Sequence, residues 1–188
     1  MPASGVWPVT AFPGFVEALL TFPKPLLCAV NGVAVGIGAT MLAYADLVFI
    51  STEARIRCPF TRLGVAPEAG SSVTFPWLLG RQQAAWALLS SEWLSADDCV
   101  RMGLAWKACS PVELLADTLR HADVLASKPI SSLVASKQLL VAPLIEQVRA
   151  ARAREDAAFK TLLGAPANVE ALRAFAERRD PDFGALDD

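Results

Sequence analysis

Apolar residues come first in short runs between turn signals, and later at helical spacing. The runs Leu26–Val30, Val33–Val35, Asp46–Ser51, Arg55–Cys58 and Leu104–Cys109 read as short buried strands. Phe15–Phe22 predicts an amphipathic helix with Glu17 outward, ended by Pro23 and Pro25. Gly36-Ile37-Gly38 predicts a tight turn into a helix from about Ala39 to Tyr44. Phe60–Gly70 reads as a loop with one or two helical turns. Ser71–Leu79 follows as a helix with Ser71 or Ser72 as N-cap, then Arg81–Ser90 as an amphipathic helix. Ser95-Ala96-Asp97-Asp98 has the form of a capping box opening a helix that ends at Gly103, and Pro111–Ala126 predicts a long helix. Beyond Lys128-Pro129 the pattern is helical throughout: Ser131–Leu140, Leu144–Leu163 and Ala167–Arg178. Strands alternating with helices and then a helical tail predict an α/β core over 1–127 and a C-terminal helical region over 128–188, divided near Ser127–Pro129.

Composition narrows the possibilities. At 54% hydrophobic, the 188 residues can bury a sizeable core. A net charge of −2 argues against a nucleic-acid or polybasic membrane partner, each of which needs a cationic face. The short basic run Arg149, Arg152 and Arg154, interrupted by Glu155 and Asp156, reads as a solvated helix face. Pro25–Ala45 carries no charge and is long enough to suggest a membrane span. Asn31-Gly32, Gly36 and Gly38 interrupt it, and a buried strand followed by a buried helix accounts for the same composition. The opening MPASGVWPVTAF has neither a basic segment nor a continuous apolar segment of a signal peptide. Cys28, Cys58, Cys99 and Cys109 form no CxxC pair and read as reduced core residues of a cytoplasmic protein. The single histidine, His121, leaves a His-rich metal site or serine triad with little to use, and is expected exposed on a polar helix. No metal is expected.

Two features carry chemistry. In Gly36-Ile37-Gly38 the glycines let the backbone turn sharply and leave its N–H groups uncovered, just where a helix start adds orphan donors and the positive end of a dipole. The Ile37 N–H is the candidate donor to an oxyanion, a role worth about 3–4 kcal/mol in a transition state. Such a turn can equally serve close packing alone. Glu68 lies among Val65, Ala66, Pro67 and Ala69, none of which can hydrogen-bond through its side chain. Its carboxylate faces either solvent or an apolar cavity; in a cavity its proton affinity rises, as suits a general base that returns its proton. Ser71, Ser72 and Thr74 have no histidine or lysine in a suggestive relation, so capping is the better reading. Pro59-Phe60 reads as pocket wall, or Phe60 as core.

Three ordered blocks, KPLLCAVNGVAVGIGATMLAYADLVFIS, CPFTRLGVAPEAGSS and LSADDCVRMGLAWKAC, resemble the crotonase superfamily, the enoyl-CoA hydratase/isomerase family. The resemblance covers most of the chain from Phe15 onward. It implies a ββα spiral, an acyl-CoA thioester substrate with no cofactor beyond the CoA it carries, and a homotrimer or dimer of trimers held largely by the C-terminal helices. It implies an enolate held by two backbone N–H groups, one of which maps to Ile37. The substrate would be lined by Gly36, Ile37, Gly38, Pro59, Phe60, Leu63 and Ala69. The loop that carries the second N–H in the family is not found, so the chain resembles a member whose N-terminal portion is missing, with an incomplete spiral. The two glutamates of crotonase-type hydratases correspond to Thr40 and Phe60. The string CPFTRLGVAPEAGSSVTFP instead resembles Δ3,Δ2-enoyl-CoA isomerases of the peroxisomal type, which place one carboxylate at Glu68, and also the crotonase-like domain of chromodomain-Y-like proteins. The resemblance therefore implies an isomerase with Glu68 as base. The alternatives are a non-catalytic acyl-CoA-binding module or a hydratase-type enzyme, the latter needing a water-activating group that the sequence does not offer. Apolar Val148, Ala151, Ala158, Phe159, Leu162 and Leu163 are expected in core or subunit packing.

Overall fold

A computed structural model describes residues 11–186. The chain winds as a ββα spiral, each turn placing one strand in each of two small sheets. β1 (Leu27–Val30) and β3 (Leu47–Ser51) enter the first sheet, while β2 (Val33–Val35) and β4 (Arg55–Arg57) enter the second. β6 (Lys107–Cys109) completes the first sheet in the order β1-β3-β6, all parallel, with Leu27 opposite Leu47 and Ile50 opposite Ala108. β5 (Leu94–Ser95) completes the second as β2-β4-β5, antiparallel to β4. The helices are α1 (Ala11–Leu20), α2 (Ile37–Thr40, continued as a 3₁₀ turn Met41–Tyr44), α3 (Ser71–Leu79), α4 (Arg81–Leu89), α5 (Ala96–Met102) and α6 (Leu114–Ala126). After them come α7 (Ile130–Val141), α8 (Ile145–Leu162) and α9 (Pro166–Glu177).

β3 shows why the run Leu47–Ile50 is unbroken. Its Val48 and Ile50 join the main core with Ile56, Phe60, Phe75 and Leu104, while Phe49 faces Leu114 of α6 on the other side. A strand covered on both faces needs apolar residues at every position rather than at alternate ones. The uncharged stretch Pro25–Ala45 resolves into β1, β2, α2 and the 3₁₀ turn, and among the described residues no helix is long and apolar enough to cross a membrane. A smaller cluster of Val16, Leu20, Tyr44, Ala69 and Val148 lies between α1, the 3₁₀ turn and α8.

Several elements differ from expectation for identifiable reasons. α1 starts before Phe15 because Pro13, in the first helical turn, loses no intrahelical bond there. β6 is shorter than Leu104–Cys109 because the Leu104 and Ala105 N–H groups close the end of α5 on the Cys99 carbonyl. The expected capping box at Ser95 and Asp98 is present, with Gly103 left-handed at the other end. His121, expected exposed, lies against Phe49 and Trp106 at ring separations of 5.0 and 4.9 Å. Its Nδ1–H donates to the Asp117 carbonyl at 2.7 Å, so the ring is a half-buried wedge between α6 and β3. The basic run on α8 is not a plain solvated face: Arg149 and Arg152 both grip Glu17 of α1, at 2.5 and 3.2 Å.

The C-terminal helices are fastened to the core by polar contacts. Lys137 of α7, 4% exposed, bonds Asp46 at 2.7 Å and the Lys24 carbonyl at 2.9 Å, while the same Asp46 carboxylate oxygen takes the Leu26 N–H. Asn168 of α9 donates to the Leu63 carbonyl at 2.8 Å.

Candidate active site

Gly36 has φ 57° and ψ −122°, a backbone state that only glycine adopts without strain. Its carbonyl accepts the Ala39 and Thr40 N–H groups, and its own N–H is taken by the Arg57 carbonyl of β4. The turn therefore aims the first donors of α2 outward. Among the described residues no hydrogen bond occupies the N–H of Ile37 or Gly38. Thr40 is fully buried and bonds the Gly36 carbonyl at 3.3 Å.

The loop after β4 carries the carboxylate to the same place. Pro59 and Phe60 lead into a 3₁₀ turn at Thr61–Leu63, and the chain then crosses to α3 through Glu68, Ala69 and Gly70. A Cβ placed on Gly36 would lie 3.8 Å from Glu68 Oε1, so the carboxylate stands directly over the glycine turn. Ile37 and Ala69 meet in one apolar cluster beneath it. Burial, and secondarily the negative charge of Glu155, hold the Glu68 carboxyl above the usual carboxylate range. The geometry thus brings a proton acceptor of raised affinity next to a turn whose N–H donors are unoccupied.

Ala69 and Gly70 make the bend. Both are left-handed, at φ 59° and 71°, which is costly for alanine. Tyr44 Oη–H donates to the Ala69 carbonyl. The Gly70 N–H and the Ser72 N–H bond the two carboxylate oxygens of Glu155, at 2.6 and 2.8 Å. Neither Ser71 nor Ser72 caps α3 as expected. Gly70 occupies the N-cap position, and Glu155, 83 residues beyond Ser72, does the capping. A Cβ on Gly70 would come within 2.7 Å of Val148 Cγ1, so α8 packs directly on the bend.

Of the other expected lining positions, Pro59 and Leu63 border a cavity of about 430 Å³, with Val35, Trp93 and, from α9, Leu172 and Phe175. Phe60 packs into the main core at 4% exposure. Gly38 lies against Ala34. The residues missed by sequence reasoning are Glu155 and Tyr44. A signal for Glu155 was available: it continues the buried series Val148, Ala151 on α8, where a carboxylate breaks the apolar face.

Comparison with known proteins gives a consistent set of relatives. The family model described as Enoyl-CoA hydratase/isomerase matches residues 10–185. The chain is 34% identical over 169 residues to a Rhodobacter capsulatus protein named "Probable enoyl-CoA hydratase", covering 89% of this chain and 65% of the relative. It is 32% identical over 165 residues to "Enoyl-CoA delta isomerase 2" of Rattus norvegicus, covering 88% of this chain and 42% of that protein. Among solved structures, an enoyl-CoA hydratase/isomerase from Pseudoalteromonas atlantica superposes with a TM-score of 0.88 at 34% identity, over 97% of this chain and 73% of that one. The chain therefore spans less than two thirds of the length of these two curated relatives.

Proposed function

This chain belongs to the enoyl-CoA hydratase/isomerase family, and from that premise we propose that it shifts a double bond between the 3 and 2 positions of an enoyl-CoA thioester. The Ile37 N–H holds the thioester oxygen as negative charge develops there. Glu68 takes a proton from C2 of the 3-enoyl ester. The electron pair delocalises as a dienolate, and the same carboxyl returns the proton to C4, leaving the double bond between C2 and C3. One base on one face suffices, and no water has to be held. The observation carrying this reading is the Glu68 carboxylate over Gly36, its Oε1 3.8 Å from where a Cβ on that glycine would lie. It is supported by the side chains that stand where a hydratase would need carboxylates, since Thr40 and Phe60 are buried and cannot transfer a proton as carboxylates do. The cavity beside Pro59 and Leu63 takes the acyl chain. Exposed Trp77, Leu139 and Leu140 on α3 and α7 offer an apolar face for contact between subunits of a homotrimer or dimer of trimers.

The test is a coupled assay with 3-enoyl-CoA and 2-enoyl-CoA, on the wild type and Glu68→Gln. Isomerisation that disappears in the variant is expected. Undiminished turnover in Glu68→Gln would remove Glu68 from the mechanism. A folded wild type inert on both esters would favour an acyl-CoA-binding module instead.

A further inference from the structure

The Glu68 bend is held only in part by its own backbone, through the Ser71 N–H on the Glu68 carbonyl at 3.1 Å. Ala69 is left-handed without being glycine, and α3 begins at a glycine that offers no capping side chain. The side-chain contacts that fix both come from elsewhere in the fold. Glu155 of α8 is 5% exposed, and its carboxylate receives three hydrogen bonds: from the Gly70 N–H, the Ser72 N–H and, at 2.5 Å, the Ser72 hydroxyl. These are the orphan donors at the start of α3, where a negative charge is also favoured by the helix dipole. Tyr44 holds the other side of the bend through the Ala69 carbonyl. Arg152, one turn earlier on α8, bonds Glu17 and the Pro13 carbonyl.

We propose that Glu155 and Tyr44 are positioning residues: together they hold the Ala69–Gly70 bend that sets the Glu68 carboxylate over Gly36. The inference rests on the reading of Glu68 as the base. Neither residue touches the reacting atoms; each acts through the loop. Glu155 differs from Tyr44 in also bringing a buried negative charge toward Glu68, which adds to the effect of burial in keeping the Glu68 carboxyl protonated to higher pH. The other titratable or charged groups around this pair are Glu17 from α1, Tyr44 from the 3₁₀ turn, Cys58 after β4, and Arg152 from α8. Glu17 is held ionised by Arg149 and Arg152. Burial raises the Tyr44 hydroxyl and pushes the Cys58 thiol up to about 12, so neither loses its proton in the working range.

The two roles separate experimentally. The isomerisation kcat and KM are measured against pH for the wild type, Glu155→Gln, Tyr44→Phe and Glu68→Gln. A glutamine at 155 keeps one acceptor but presents an amide N–H₂ group where the second acceptor was. Its kcat is expected to fall about 100-fold, the scale of a reacting group displaced by roughly 1 Å, with KM little changed. The acid limb of its kcat profile moves to lower pH, because the like charge is gone. Tyr44→Phe lowers kcat and leaves the limb in place, since no charge is lost. A merely structural role for Glu155 would lower the active fraction without moving the limb, so a folded Glu155→Gln with the wild-type limb overturns the inference. Should Glu155→Gln fail to fold, an unchanged kcat in Tyr44→Phe overturns it. Full turnover in Glu68→Gln refutes the parent reading instead, and is distinguishable from either result.

Discussion

The turn at Gly36–Thr40 and the bend at Glu68–Ser72 meet where the Glu68 carboxylate stands over Gly36, yet they are held in different ways. The turn is local: Gly36 supplies the conformation, its own carbonyl takes the Ala39 and Thr40 N–H groups, and a neighbouring strand takes its N–H. The bend is borrowed. Beyond one local bond from the Ser71 N–H to the Glu68 carbonyl, its side-chain support comes from a tyrosine 25 residues away and a glutamate 85 residues away. An oxyanion donor needs only a backbone that turns, which a short motif can encode. A base with raised proton affinity needs a desolvated carboxylate held firmly, and only tertiary structure supplies that.

The sharpest way to break the comparison is Glu68→Gln. Turnover is expected to fall by at least about 100-fold, while stability at neutral pH rises. The sign follows from the raised carboxyl. A group whose folded-state affinity is raised contributes stability below its unfolded value of 4.5 and loses it as pH climbs through the folded value. Removing the charge restores that loss. Thermal melts at neutral pH and below pH 4.5 should show the variant's advantage shrinking on acidification.

Next come two glycine substitutions. Gly70→Ala places a Cβ 2.7 Å from Val148 Cγ1 in a left-handed residue, and should cost about 3 kcal/mol in denaturant unfolding. Gly36→Ala meets no heavy atom closer than Glu68 Oε1 at 3.8 Å. It should cost only about 2 kcal/mol of backbone strain but damage kcat more, since the methyl group stands between the turn and the carboxylate. If both variants lose stability and activity in the same proportion, the distinction between a local turn and a borrowed bend fails. The smallest effect concerns Ser71, whose hydroxyl is fully buried and finds no partner among the described residues. Ser71→Ala should stabilise by about 1 kcal/mol, visible as a modest rise in Tm with kcat unchanged.

The same contrast explains how much of the molecule could be read from its sequence. The β1, β2 and β3 runs, the Gly36-Ile37-Gly38 turn and the Ser95–Asp98 box are determined by residues adjacent in the chain, and each lies where expected. Glu68 stood out as a lone carboxylate among apolar neighbours, but whether it faced solvent or an apolar cavity was not legible; the structure leaves it half-buried. The capping of α3 was not, because the natural local candidates, Ser71 and Ser72, yield that role to Glu155. Nor was the position of His121, which depends on Phe49 and Trp106 arriving from two other elements. Arg149 and Arg152 look solvated in their own helix, and only the packing of α1 shows what they hold.

The distance between Gly70 and Glu155 also orders events in time. At a synthesis rate of roughly 5–20 residues per second, the 85 residues separating them delay the arrival of Glu155 by about 4–17 s. During that interval the nascent chain can form its glycine turn, but the start of α3 has no cap and the base has no fixed place. On the reading of Glu68 as the base, its placement is therefore a late property of the growing polypeptide, completed only when α8 docks, and a chain released before that point would carry both donors and carboxylate without the contacts that aim one at the other.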